Sequence, residues 1–170
     1  HYTLDNGKIT DQETIPGILS TTGPLALADY NGDGKLDLFV GGTFKPAQYP
    51  VSASSRLFEN KNGRFSLDSD NSGQLQDVGL VKSAVFSDYD RDGDSDLILA
   101  TEWGPIKIFE NDSGGFVERT GDLGMEQYTG LWNGVATGDF NNDGLPDIIA
   151  TNRGLNSHYQ LKGNSPLYVY

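Results

Sequence analysis

The sequence predicts an all-β protein assembled from repeated four-stranded antiparallel units, and three observations carry that prediction. A nine-residue phrase of Asp, Asn and Gly occurs three times, beginning at Asp29, Asp88 and Asp139. Each copy sits between short apolar runs, rich in branched residues, that read as strands. Hairpin phrases with Asn-Gly or Ser-Gly turns recur between the copies, and no stretch shows sustained helical periodicity.

Taken in order, the chain opens on the hairpin phrase Tyr2-Thr3-Leu4-Asp5-Asn6-Gly7-Lys8-Ile9. The first full repeat then begins with the small-residue strand Leu25-Ala26-Leu27-Ala28, followed by the acidic loop and the apolar run Leu38-Phe39-Val40. A long insert, residues 43–55, precedes the hairpin Arg56-Leu57-Phe58-Glu59-Asn60-Lys61-Asn62-Gly63-Arg64-Phe65. The second repeat runs from Ser83-Ala84-Val85-Phe86-Ser87 through its loop and Leu97-Ile98-Leu99-Ala100. It closes on Lys107-Ile108-Phe109-Glu110-Asn111-Asp112-Ser113-Gly114-Gly115-Phe116. The third begins at Gly134-Val135-Ala136-Thr137-Gly138, continues into Ile148-Ile149-Ala150, and ends with Pro166-Leu167-Tyr168-Val169-Tyr170 as the opening half of a hairpin.

The loops are spaced by 59 and 51 residues, a period that signals arrays and propellers. Small residues before each loop suit strands crowded near a central axis. Four antiparallel strands per repeat make a β-propeller blade. The expected blades are residues 24–68, 82–120 and 133–170, with 1–12 completing a neighbouring or the last blade. Three blades are fewer than the usual four to eight, so an arc or fragment of a larger propeller is expected. His rather than Met stands first, and both ends look cut from a longer or processed chain.

The loop chemistry is specific. Position 1 is Asp29, Asp88 or Asp139; position 3 is Asn31, Asp90 or Asn141; position 5 is Asp33, Asp92 or Asp143; position 9 is Asp37, Asp96 or Asp147. Calcium takes six to eight oxygens from carboxylates, amides, backbone carbonyls and water. Alternate side chains of a curled loop converge, and position 7 (Lys35, Asp94 or Leu145) need offer only its backbone carbonyl. Gly at position 6 permits the sharp turn. An EF-hand is excluded, because position 12 is Val40, Leu99 or Ala150 where a bidentate Glu is required. Three Ca2+ sites are expected in strand-loop-strand units, the middle one tightest because it has four ligand carboxylates.

Composition narrows the function classes. The formal charge is −12, and 11 of the 24 acidic residues lie in the three loops, so bound calcium would halve that charge. An acidic chain with no basic cluster argues against a nucleic-acid partner. No apolar run approaches a membrane span. Without cysteine there is no disulfide, and a zinc or iron-sulfur site is not expected. No nucleophile motif or phosphate-cradling Gly loop marks an enzyme, and Glu102, Asp122 and Glu126 are unmarked as general bases.

Other residues carry weaker signals. Trp132 reads as blade packing, whereas Trp103, at a strand end beside Glu102 and Gly104, reads equally as packing or as a sugar-stacking ring. His1 and His158 are isolated and read as surface residues. Asn111-Asp112-Ser113 fits a glycosylation acceptor but arises readily in a tight turn. The insert around Lys45-Pro46-Ala47-Gln48-Tyr49-Pro50 is long enough to contact a partner.

On these loops and hairpins the chain resembles the FG-GAP/VCBS repeat family, whose calcium-loop blades also occur in integrin α-subunit propellers. A narrower likeness is to secreted or surface bacterial proteins with an ASPIC/UnbV-type segment. It rests on Leu38-Phe39-Val40-Gly41-Gly42 running to Tyr49-Pro50, Ala100-Thr101-Glu102-Trp103-Gly104-Pro105-Ile106 and Asn152-Arg153-Gly154-Leu155-Asn156-Ser157; that segment itself is absent. The resemblance implies metal ligands between the first and second strands of each blade, and roles in adhesion, ligand binding or assembly. The expectation is therefore a non-enzymatic Ca2+-binding module that is extracellular, at the cell surface or periplasmic. Its partner would be a protein or glycan ligand, with further blades from the same parent chain or another copy. The alternative is a carbohydrate-binding or carbohydrate-active propeller.

Overall fold

A computed structural model describes residues 2–12 and 14–154, with the side chain of Asp11 outside the description. Twelve strands form within it. The chain starts with a separate antiparallel hairpin, β1 (Tyr2–Asp5) and β2 (Lys8–Gln12), joined by Asn6 and Gly7 at positive φ. Among the described residues this hairpin is a two-stranded sheet that pairs with no other strand.

Next comes a four-stranded meander: β3 (Thr22–Ala28), β4 (Asp37–Gly42), β5 (Arg56–Lys61) and β6 (Arg64–Asp68), paired antiparallel in sequence order. A second follows as β7 (Leu80–Ser87), β8 (Asp96–Gly104), β9 (Ile106–Asp112) and β10 (Gly115–Glu118). The third repeat contributes β11 (Gly130–Gly138) and β12 (Asp147–Asn152). Its outer half, Pro166–Tyr170 included, lies outside the described residues, as do His1 and His158. The all-β architecture of antiparallel, propeller-like blades matches the expectation.

The core explains the sequence of the second strand in each blade. Along β8, Leu97 and Leu99 face one side, while Ile98 and Ala100 face the other, and all four are buried. The first pair joins Phe39, Leu57, Val81, Phe109 and Phe116 between the first two blades. The second pair joins Ile106 and Ile108 against Trp132, Val135, Ile148 and Ala150 of the third repeat. A strand buried on both faces must be continuously apolar, and this one is. The inner strands β3, β7 and β11 lie side by side, and Gly23 approaches so closely that a Cβ there would meet the Val81 carbonyl at 2.8 Å.

One helix was not foreseen. Residues Ser69–Gln74 form α1 after β6, with the Asp68 side chain capping the Asn71 N–H at 3.0 Å. Asp before a Ser-Asp-Asn turn is a recognisable N-cap, but one and a half turns are too short to show helical periodicity. Asn71 then bonds the next blade, donating to the Gly114 carbonyl at 2.7 Å and accepting from the Phe116 N–H at 2.9 Å.

Candidate metal centres

Each acidic loop connects the first and second strands of its blade: 29–36 between β3 and β4, 88–95 between β7 and β8, 139–146 between β11 and β12. Position 9 is the first residue of the second strand. The glycines at position 6 have φ of 83°, 101° and 82° (Gly34, Gly93, Gly144), a conformation that a side chain opposes. Position 4 is also left-handed, at Gly32, Arg91 and Asn142. Two left-handed residues per loop curl the backbone so that its N–H groups turn toward the carboxylates.

The three loops share that internal wiring. The position 6 N–H donates to the position 1 carboxylate: Gly34 to Asp29 at 2.7 Å, Gly93 to Asp88 at 3.2 Å, Gly144 to Asp139 at 2.9 Å. The position 7 N–H donates to position 5 in every loop. Position 9 holds the loop to its strand, since Asp37, Asp96 and Asp147 each accept from the position 2 N–H. Asp37 also accepts from the Asn60 N–H at 2.7 Å, and Asp96 from the Asn111 N–H at 2.8 Å.

The loops differ in what they gather. In the middle one, carboxylate oxygens of Asp88, Asp90 and Asp96 all lie within 4.8 Å of one another. Asp88 Oδ1 there is buried and has no hydrogen-bond partner. A buried carboxylate oxygen without a donor, beside two more carboxylates, fits a hard cation and otherwise costs free energy. Burial pushes the Asp96 carboxyl up to about 6 against the N–H groups of Asn111 and Tyr89, and the charges of Asp90 and Asp92 add to the rise. Burial also raises Asp90, and the charges of Asp92, Glu110 and Asp88 add to it. In the first loop burial likewise raises Asp37, and the Lys35 ammonium sits 2.6 Å from Asp33. In the third, the Asn141 amide donates to Asp143 at 3.0 Å and contacts Asp147 at 3.4 Å. At position 7 of the middle loop the Asp94 carboxylate accepts from the Ser113 N–H at 2.9 Å.

Sequence reasoning missed the two asparagines that tie hairpin to loop. Asn60 donates to the Leu36 carbonyl and accepts from Gly63. Its counterpart Asn111 is fully buried, donating to the Ser95 carbonyl at 3.1 Å and to the Tyr30 carbonyl of the preceding blade at 2.7 Å. It also accepts from the Gly114 N–H. With both amide atoms engaged, Asn111 is not presented as a glycosylation acceptor. The signal was available in the repeated Phe-Glu-Asn.

The remaining candidates separate. Trp132 packs into the third repeat, donating to the Tyr128 carbonyl. It lines an open, mainly apolar cavity of about 520 Å³ with Ile106, Met125, Tyr128, Ile148 and Ala150. Glu102 pairs with Lys82 at 2.8 Å, and Asp122 lies 3.4 Å from Arg119. Glu126 abuts Gly121, where an added Cβ would meet its carboxylate. Among the described residues no helix is long and apolar enough to cross a membrane.

Two family models match the chain. Residues 88–150 match the FG-GAP-like repeat, and residues 131–170 match the FG-GAP repeat. The second and third loops thus fall inside matched sequence. No curated protein matches the chain.

Proposed function

We propose, from the membership of this chain in the FG-GAP repeat family, that it is a calcium-braced β-propeller segment presenting a binding surface outside the cytoplasm. FG-GAP repeats generally serve as structural modules rather than enzymes, and this chain is read the same way. One observation carries the metal reading: the buried, partnerless Asp88 Oδ1 within the Asp88, Asp90 and Asp96 cluster. The loops at Asp29 and Asp139 repeat its N–H wiring and are assigned the same ion. Calcium there is structural. It cancels carboxylate repulsion and ties the first two strands of each blade together.

The ends of the arc support continuation by further blades. Leu25, Leu27 and Leu67 are about half exposed or more on the first repeat, as are Phe140 and Ile149 on the third. In the middle blade the positions matching Leu25, Leu27, Phe140 and Ile149 are Ala84, Phe86, Tyr89 and Ile98, which are half-buried or buried. Additional blades, from the parent chain or another copy, would cover these faces.

Melting with and without chelator tests the metal reading. An ion at 100 times its dissociation constant adds about 2.7 kcal/mol per site, against about 5–15 kcal/mol for a whole domain. Chelation is expected to lower the melting temperature sharply, with little recovery in magnesium, which prefers octahedral, partly hydrated sites. An unchanged melt in excess chelator refutes it. A second reading, carbohydrate binding, is favoured by the convergence of Trp103 and Tyr49.

A further inference from the structure

Among the described residues, eight non-glycine residues take positive φ, and five have local explanations. Asn6, Asn62 and Ser113 occupy hairpin turns, while Arg91 and Asn142 occupy position 4 of the metal loops. The other three are Ala47 at 60°, Asp77 at 49° and Trp103 at 67°. They lie in three different connections, β4 to β5, α1 to β7 and the end of β8, all at the edge of the blades opposite the metal loops. Left-handed backbone disfavours alanine and tryptophan, and it persists where the surroundings over-determine it, commonly at binding sites.

Trp103 and Asp77 each reach the insert that carries Ala47. Trp103 Nε1 donates to Tyr49 Oη, joining the second blade to the insert of the first. Phe44 backs Tyr49 edge-on, with ring centroids 5.5 Å apart. Lys45 and Asp77 stand 3.9 Å apart, both substantially exposed. The insert is held internally: the Lys45 N–H donates to the Val51 carbonyl at 2.9 Å, the Ala53 N–H donates to the Thr43 carbonyl, and Phe44 bridges Ser52. Tyr49 remains 44% exposed on this fixed platform.

We propose that Tyr49 and Trp103 form a subsite for a neutral hexopyranose, with Lys45 of the same insert paired to Asp77. The proposal names the ligand class for the binding surface assigned above and rests on that reading. An amphipathic ring held rigid offers contact area at small entropic cost. The apolar C–H face of a pyranose matches it, and its hydroxyls match the exposed ammonium and carboxylate that the insert and its neighbour carry. Local charge is balanced, and the chain as a whole is strongly acidic, which disfavours sulfated or uronate sugars. A protein partner would need about 800 Å² on this side, much more than one exposed ring among charges.

The test titrates the full chain with neutral gluco-, manno- and galacto-oligosaccharides, following heat and tryptophan fluorescence. At least one series is expected to bind saturably. Tyr49→Ala should weaken it about tenfold or more, whereas Trp132→Phe leaves it unchanged. Tyr49→Phe, which keeps the ring and loses only the bond to Trp103, should fall between. An unchanged melting temperature for Tyr49→Ala confirms that the variant is folded. No binding at about 10 mM sugar, binding of anionic sugars alone, or an indifferent Tyr49→Ala each overturns the proposal. Sugar binding in a chain whose melt ignores calcium removes the metal reading and leaves the subsite standing; a calcium-dependent melt without sugar binding does the reverse.

Discussion

Replacing Asn111 by Ala probes how the blades are fastened. The buried amide donates to the Tyr30 and Ser95 carbonyls and accepts from the Gly114 N–H, at 2.7, 3.1 and 2.8 Å. Its own N–H bond to Asp96 is backbone and survives the change. Three hydrogen bonds at about 0.5–1.5 kcal/mol each, partly made by groups that would then be stranded, place the cost at about 3 kcal/mol. For a domain of this size that lowers the melting temperature by about 6–12 °C. Asn60→Ala is the matched control, because Asn60 holds the same place in the first blade. It bonds only within that blade, to exposed partners, so its cost should be about 1 kcal/mol. Urea unfolding at fixed calcium measures both. If the two variants lose the same stability within about 0.5 kcal/mol, the bond to Tyr30 contributes nothing to fastening the blades.

Further outcomes follow from the same contacts. Phe116→Ala empties a site packed against Tyr30 and Phe86 at the first blade interface and should cost about 3–5 kcal/mol by denaturant unfolding. Gly93→Ala meets no side chain but must keep φ near 101°; a loss of about 1 kcal/mol or more is expected, along with weaker calcium binding by calorimetry. Gly73→Ala in α1 has open space and ordinary φ, so it should gain about 0.4–1 kcal/mol in the same assay. Asp88→Asn removes one charge from the middle cluster and should reduce the calcium-dependent rise in melting temperature more than Asp139→Asn does.

Blade order and loop placement were legible because they rest on local chemistry. Gly at position 6 is demanded by backbone sterics, Asn-Gly and Ser-Gly turns by positive φ, and the continuous apolar run at Leu97 to Ala100 by burial on both faces. Each of these needs only a few neighbouring residues to state. The helix α1 was missed because six residues capped by Asp68 carry no period. Asn111 was read as a turn residue because its decisive partner, the Tyr30 carbonyl, lies 81 positions away.

The repeated Asp/Asn/Gly phrase alone determined that there would be strands joined by acidic loops, since clustered carboxylates and left-handed glycines limit what such a loop can be. Only the tertiary structure decided which carboxylates meet. Loops of similar sequence wire themselves alike, yet the middle one brings Asp88, Asp90 and Asp96 together and leaves an oxygen without a donor. The joining of Tyr49 to Trp103 was likewise decided by packing, because the distance between two side chains 54 positions apart is set by how the blades stack.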